Sequence, residues 1–331
     1  MTDFYARFHT NLQGPGDSRP TAEQIIDDED LRGKLEGKTV LITGATAGIG
    51  LETAKALHLT GAELYLTTRN LQRARKALGA FGESPRVHLL EMDHLSLASV
   101  KRCAQTFIAQ SDKLNIMINN AGVMATPEGR SDDGHEIQFQ TNHLSHFLLF
   151  ELLRPTMIRS ASPDSASRVI NLSSLGHRRG IPDINNLNLD GCYDKWRAYG
   201  ASKTCNIWMA NEIDRRYRDQ GIRAFSVHPG GIVTGLWDHM TPEDVQVLRD
   251  GQGFDESLKS PQQGAATTVW GAVAECLEGE GGRYLDDVQI ASPWTDDQPF
   301  ANPGWAPHAF DQEGAQQLWE KSLVMTESFR A

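Results

Sequence analysis

Between Lys38 and Val227, short apolar runs alternate with stretches of helical periodicity, and this rhythm narrows the possible folds further than any other feature of the chain. The runs fall at 39–43, 63–67, 87–92, 114–119, 168–172 and 222–227. Helical patterns fill the gaps at 49–59, 71–78, 97–109 and 137–153, with a further helix around Tyr199. Strands separated by helices pair in parallel, because each crossover returns the chain in the same direction. The expected fold class is α/β, a single doubly wound parallel sheet with helices on both faces. No internal repeat or low-complexity linker divides it. Residues 1–36, polar and carrying the acidic stretch Asp27-Asp28-Glu29-Asp30, read as an N-terminal extension with helix-like apolar positions at Ile25, Ile26 and Leu31. Residues 37–331 read as one domain, with insertions at about 175–197 and 235–260.

The first run leads straight into the glycine-rich turn Thr43-Gly44-Ala45-Thr46-Ala47-Gly48-Ile49-Gly50, which opens the first helix. That placement suits a Rossmann-type phosphate-binding turn. Gly44 can take the bend, Gly48 lets backbone approach a pyrophosphate, and Gly50 allows close helix packing. The helix N-terminus adds free amides and partial positive charge. Gly44, Thr46, Gly48, Ile49 and Gly50 are therefore expected at a cofactor. After the second run, where an NAD site would place a carboxylate for the ribose, the chain has Thr67-Thr68-Arg69-Asn70. A guanidinium suits a 2′-phosphate, so Arg69 points to NADP(H).

Tyr199 and Lys203 stand four residues apart and share one face of a helix. A phenol titrates near pH ~10, and a neighbouring cation favours its ionised form. The pair suits proton transfer, and Ser173 or Ser174 could hold a substrate oxygen.

Composition excludes other classes. The net charge of −11, from 32 Lys+Arg against 43 Asp+Glu, argues against a nucleic-acid or anionic-membrane binder. Cys103, Cys192, Cys205 and Cys276 lack metal or redox spacing and read as reduced thiols. No metal site is expected. Without a signal pattern or a run of about 18 apolar residues, no membrane insertion is expected and a cytoplasmic location is the default.

With these motifs assembled, the chain resembles the short-chain dehydrogenase/reductase family, in its retinol-dehydrogenase and WW-domain-containing-oxidoreductase-like branch, over about residues 37–325. The resemblance implies that the Gly44–Gly50 turn binds the cofactor, that Asp93 contacts the adenine, and that Asn120, Ala121 and Gly122 lie beside the ribose. It implies that Pro229, Gly230 and Thr234 meet the nicotinamide end. It also implies a tetrad: Asn142 holding a relay water, Ser174 as the catalytic serine, and Tyr199 with Lys203. Lys203 would lower the Tyr199 pKa and bind the nicotinamide ribose. A homodimer or homotetramer through the helix bearing Tyr199 is frequent in such a family. The interval from Ser174 to Tyr199 is longer than usual there and looks like that of the retinol-dehydrogenase-like branch.

These readings converge on an NADP(H)-dependent oxidoreductase, a ketone or aldehyde reductase or secondary-alcohol dehydrogenase, with a place in specialised biosynthesis. The alternatives are an NADP(H)-bound protein with a non-redox role, either cyclase- or epimerase-type catalysis or cofactor sensing. Leu236, Trp237, Met240 and Phe254 suggest an apolar or aromatic substrate, unless they are only lid core. His177, Arg178 and Arg179 could meet an acidic group or form a solvated turn. The substrate pocket is expected between the two insertions.

Overall fold

The structure, a computed structural model, describes residues 4–250 and 253–330. Residues 1–3, 251, 252 and 331, which belong to the expected extension, second insertion and domain, lie outside them.

Chain order runs α1 (Ala22–Asp28), β1 (Thr39–Thr43), α2 (Gly48–His58), β2 (Glu63–Thr68), α3 (Leu71–Leu78), β3 (Val87–Glu91), α4 (Leu97–Gln110) and β4 (Ile116–Asn119). Then come α5 (Ile137–Phe139), a π-turn at Gln140–Leu144, α6 (Ser145–Ser160), β5 (Ser167–Leu172), α7 (Lys195–Tyr217) and β6 (Ile222–His228). The last part holds α8 (Pro242–Arg249), α9 (Phe254–Ser257), α10 (Pro261–Gly264), α11 (Ala266–Val273), β7 (Arg283–Asp286), β8 (Gln289–Ile290), α12 (Gln312–Met325) and α13 (Glu327–Arg330).

The strands form one sheet in the order β3-β2-β1-β4-β5-β6-β7-β8. All pairs are parallel except β7 with β8. Side chains alternate between the two faces, and the buried clusters follow that alternation. Val40 and Ile42 of β1 join the layer of α1, α2 and α11, whereas Leu41 joins the layer of α4, α6 and α7. The doubly wound α/β sheet expected from the sequence is present, with β7 and β8 extending its edge.

The direction of winding reverses between β1 and β4, which opens a crevice at their carboxyl ends. Two outlying segments close round this frame. Ile25 and Ile26 of α1 are fully buried against α2 and α11. At the other end of the chain, Trp319 of α12 packs on Phe147 and Phe150 of α6 and on Tyr217 of α7.

Candidate active site

The crevice is part of a cleft of about 1750 Å³ that runs over the carboxyl ends of the strands. At one end, Gly44 and Gly48 have φ of +66° and +55°, which glycine alone adopts without strain. A Cβ on Gly50 would come within 2.4 Å of the Gly44 carbonyl oxygen, so this turn can form only with glycine there. Ala47, which precedes α2, makes no side-chain cap, so the first amides of the helix stay available to an anion. Thr46 and Ile49 line the same part of the cleft, as do Arg69, Arg73 and Asp93. Asp93 uses Oδ1 to accept from the Leu95 amide at 3.0 Å.

Thr43 fixes the next segment. Its Oγ1 accepts from the amides of Asn120 and Ala121, both at 3.0 Å, and lies 2.8 Å from His146 Nε2. Asn120 Nδ2 donates to the carbonyls of Thr43 and Gly44, at 2.8 and 3.1 Å, and so closes the glycine turn from behind. Gly122 is tightly enclosed: a Cβ there would sit 3.1 Å from Asn142 Oδ1 and 3.4 Å from Lys203 Nζ.

β5 ends in Ser173 and Ser174, which face different ways. Ser173 Oγ donates to the Lys203 carbonyl at 3.0 Å and is buried. Ser174 caps the following 3-10 turn and lines the cleft, with its hydroxyl within hydrogen-bonding reach of the Tyr199 phenol. Lys203 lies one turn beyond Tyr199 on α7, its Nζ 5.7 Å from the tyrosine ring centroid and donating to the Leu172 carbonyl at 3.1 Å. Pro229, Gly230 and Thr234 line the far end, where Thr234 Cγ2 approaches the Gly48 Cβ position at 3.3 Å.

One expectation needs correction. Burial pushes Tyr199 up to about 12, against the lowering that a neighbouring cation was expected to give; the bond from Ser174 offsets only part of the desolvation. Burial also brings Lys203 down to about 8. Asn142 is fully buried in the π-turn, and its carboxamide is already engaged: Oδ1 accepts from the Val123 amide, while Nδ2 donates to the Val123 carbonyl and Ser202 Oγ. Its carbonyl accepts from His146 Nδ1 at 3.0 Å. It braces the loop after β4, with one acceptor site of Oδ1 left uncommitted.

The rest of the cleft is lined by Leu175, Gly176, Arg179 and Trp196 from segment 175–197 and by Leu236, Trp237 and Phe254 from segment 235–260. Met240 packs in the cluster of Met124, Ala125 and Tyr199. A third wall, Pro299 to Pro303, gave no sequence signal, because Arg178 sets its position from far along the chain. Arg178 donates to the carbonyls of Phe300, Asn302 and Gly304, and His177 is a buried strut between the Ser174 carbonyl and the Ala306 amide. Thr43, Arg73, His146 and Trp196 were likewise missed. Only Arg73 carried a readable cue, since it is a second cation four residues after Arg69.

The strand order and the glycine turn at its reversal define a Rossmann-type dinucleotide-binding fold. The family model for short chain dehydrogenases matches residues 38–244. Over 321 residues the chain is 44% identical to the short-chain dehydrogenase/reductase prx1 of Penicillium roqueforti, covering 97% of this chain and 94% of that protein. It is 36% identical to retinol dehydrogenase 11 of Mus musculus, covering 78% and 80%. An uncharacterized protein of Mycobacterium paratuberculosis is similar in structure, with a TM-score of 0.69, 28% identity, and 94% and 98% of the two chains covered. The chain belongs to the short-chain dehydrogenase/reductase family, in the retinol-dehydrogenase-like branch. Membership makes it an oxidoreductase for CH–OH or C=O groups of small molecules, using a nicotinamide dinucleotide. Among the described residues, no helix is long and apolar enough to cross a membrane, and no cluster of side chains could hold a metal ion.

Proposed function

We propose that this protein is an NADP(H)-dependent reductase or dehydrogenase that interconverts a ketone or aldehyde with its alcohol on a substrate with an apolar or aromatic body. The observation that carries this reading is the convergence of the Tyr199 phenol, the Ser174 hydroxyl and the Lys203 ammonium on the cleft that holds the glycine turn.

The residues fit a dinucleotide. The Gly44–Gly50 cradle would hold the pyrophosphate, Asp93 the adenine, Asn120 to Gly122 the ribose, and Pro229, Gly230 and Thr234 the nicotinamide end. Arg69 would hold the 2′-phosphate, supported by Arg73, in a stretch from Thr67 to Asn70 that has no carboxylate. When bound, the nicotinamide supplies or accepts the hydride.

Tyr199 gives its proton to the substrate oxygen in reduction and takes it back in oxidation. Ser174 donates to the same oxygen and orients it against the phenol. Lys203 keeps two N–H donors beyond its bond to Leu172, directed at the cleft beside Tyr199, and its charge favours the phenolate that forms in turnover. The apolar body of the substrate would lie among Trp196, Leu236, Trp237 and Phe300, which exclude water from the reacting atoms.

The cofactor assignment is tested with Arg69→Ala. Its NADPH affinity should fall about tenfold or more while NADH binding stays level, as removal of a charge-assisted contact to one phosphate requires. Equal loss for both cofactors would remove Arg69 as the 2′-phosphate reader.

A further inference from the structure

The turn after β5 carries two adjacent arginines with different fates. Arg178 is used up in the fold: its guanidinium donates to three carbonyls of the third wall at 2.6 to 2.8 Å and stacks 4.5 Å from the Trp294 ring. Arg179 is exposed, lines the cleft, and stacks 4.5 Å from the Phe300 ring. Among the described residues no carboxylate lies within ion-pair distance of Arg179, and it makes no hydrogen bond through its guanidinium. A guanidinium lying on an aromatic face keeps its N–H edge free for an acceptor.

The backbone beneath Arg179 is rigid. Thr204 Oγ1 donates to the Gly180 carbonyl at 2.6 Å and lies 3.1 Å from the His177 carbonyl, and a Cβ on Gly180 would fall 2.2 Å from the Ala201 amide. The turn is therefore locked to α7 beside Tyr199, at a fixed distance from the reacting group. Trp196, Leu236 and Trp237 pack with the cluster around Tyr199, Phe300 lies against Arg179, and all four line the same cleft. The acidic groups of the cleft lie elsewhere. Asp93 stands with Arg69 and Arg73 beyond the glycine turn and accepts from the Leu95 amide, Asp287 is paired with Lys259 at 2.6 Å, Asp286 is buried next to it, and Glu128 stands on the loop after β4 beside Tyr193.

We propose that Arg179, backed by Phe300, is a recognition site for a carboxylate at the distal end of an otherwise apolar substrate. The proposal rests on the carbonyl-reductase reading of the same cleft and adds the substrate class: keto or hydroxy acids whose reacting carbon and carboxylate are separated by an apolar spacer. Arg179 presents two parallel N–H groups to the carboxylate oxygens, a geometry a neutral ester cannot match.

The test uses ligands that cannot be reduced, so that binding is measured apart from turnover. Phenylalkanoates of increasing chain length and their methyl esters are titrated into the full-length protein with NADP present, and binding is read by isothermal titration calorimetry. At one chain length the acid should bind about tenfold or more tightly than its ester, as expected for a charge-assisted bidentate pair. Arg179→Gln should bring the acid to the affinity of the ester and leave the ester unchanged, while Arg179→Lys should keep part of the preference. Equal binding of acid and ester at every length, a preference that survives Arg179→Gln, or no binding of either would overturn the proposal. Ketone reduction by the same preparation reports separately on the reductase reading.

Discussion

Burial drives Tyr199 and Lys203 toward their neutral forms, the first up to about 12 and the second down to about 8. For reduction this leaves Tyr199 protonated, ready to donate, at every pH up to well above 9. Lys203 then sets the upper limit, because its charge is present below about 8 and is lost as pH rises through that value. The rate of reduction should therefore be nearly level from pH 6 to about 7 and fall with an apparent pKa near 8. Arginine does not titrate in this range, so an active Lys203→Arg enzyme should lack the fall. The buried histidines near the site, His94, His146, His177 and His228, are held far below their ordinary value by desolvation, so none titrates there. A pH–rate limb near 6 would implicate one of them and contradict this assignment.

At the scale of elements, α8 lines the half of the cleft proposed for the substrate and is fastened to the start of α7. Asp244 of α8 accepts from Lys195 Nζ at 2.5 Å and from Trp196 Nε1 at 3.3 Å, while capping its own helix through Thr241. Asp244→Asn removes the charge from this fastening. The KM for the carbonyl substrate should rise several-fold with the NADPH dissociation constant unchanged, measured by initial rates and by cofactor titration. A parallel change in both constants would mean that α8 closes over the cofactor as well.

The same elements show what a sequence can and cannot display. The β1-turn-α2 unit and the Tyr199–Lys203 spacing were legible because local period and local glycine chemistry determine them. Arg178 was ambiguous because its partners, the carbonyls of Phe300, Asn302 and Gly304, are brought to it only by tertiary folding. Asn142 was found by its motif, but its engagement on both faces depends on Val123 and Ser202. Ile25 and Ile26 read as apolar points in an acidic stretch. That they seal α2 and α11 could not be seen until the sheet was built.

Over the whole molecule, α12 lies across the outer faces of α6 and α7, which a pairing through the Tyr199 helix would need. Trp319 is 3% exposed, with ring contacts to Phe147 at 4.9 Å and Tyr217 at 6.1 Å and the Arg216 guanidinium 5.0 Å from its centroid. His143 Nε2 and Ser322 Oγ meet at 3.0 Å across the same contact. Trp319→Ala should cost about 3–5 kcal/mol of unfolding free energy in urea titrations. Because this chain covers the face itself, light scattering should find no association that depends on α6 and α7; a dimer abolished by substitutions on their outer faces would refute this.

The central claim, that Tyr199 moves the proton in an NADP(H)-linked carbonyl reduction, is tested most directly by comparing wild type with Tyr199→Phe on one reducible ketone, following NADPH absorbance and NADPH binding in the same preparations. Wild type should oxidise NADPH as the alcohol forms, while the variant should bind NADPH as tightly and turn over at least about a hundredfold more slowly. Near-normal turnover by Tyr199→Phe would contradict it.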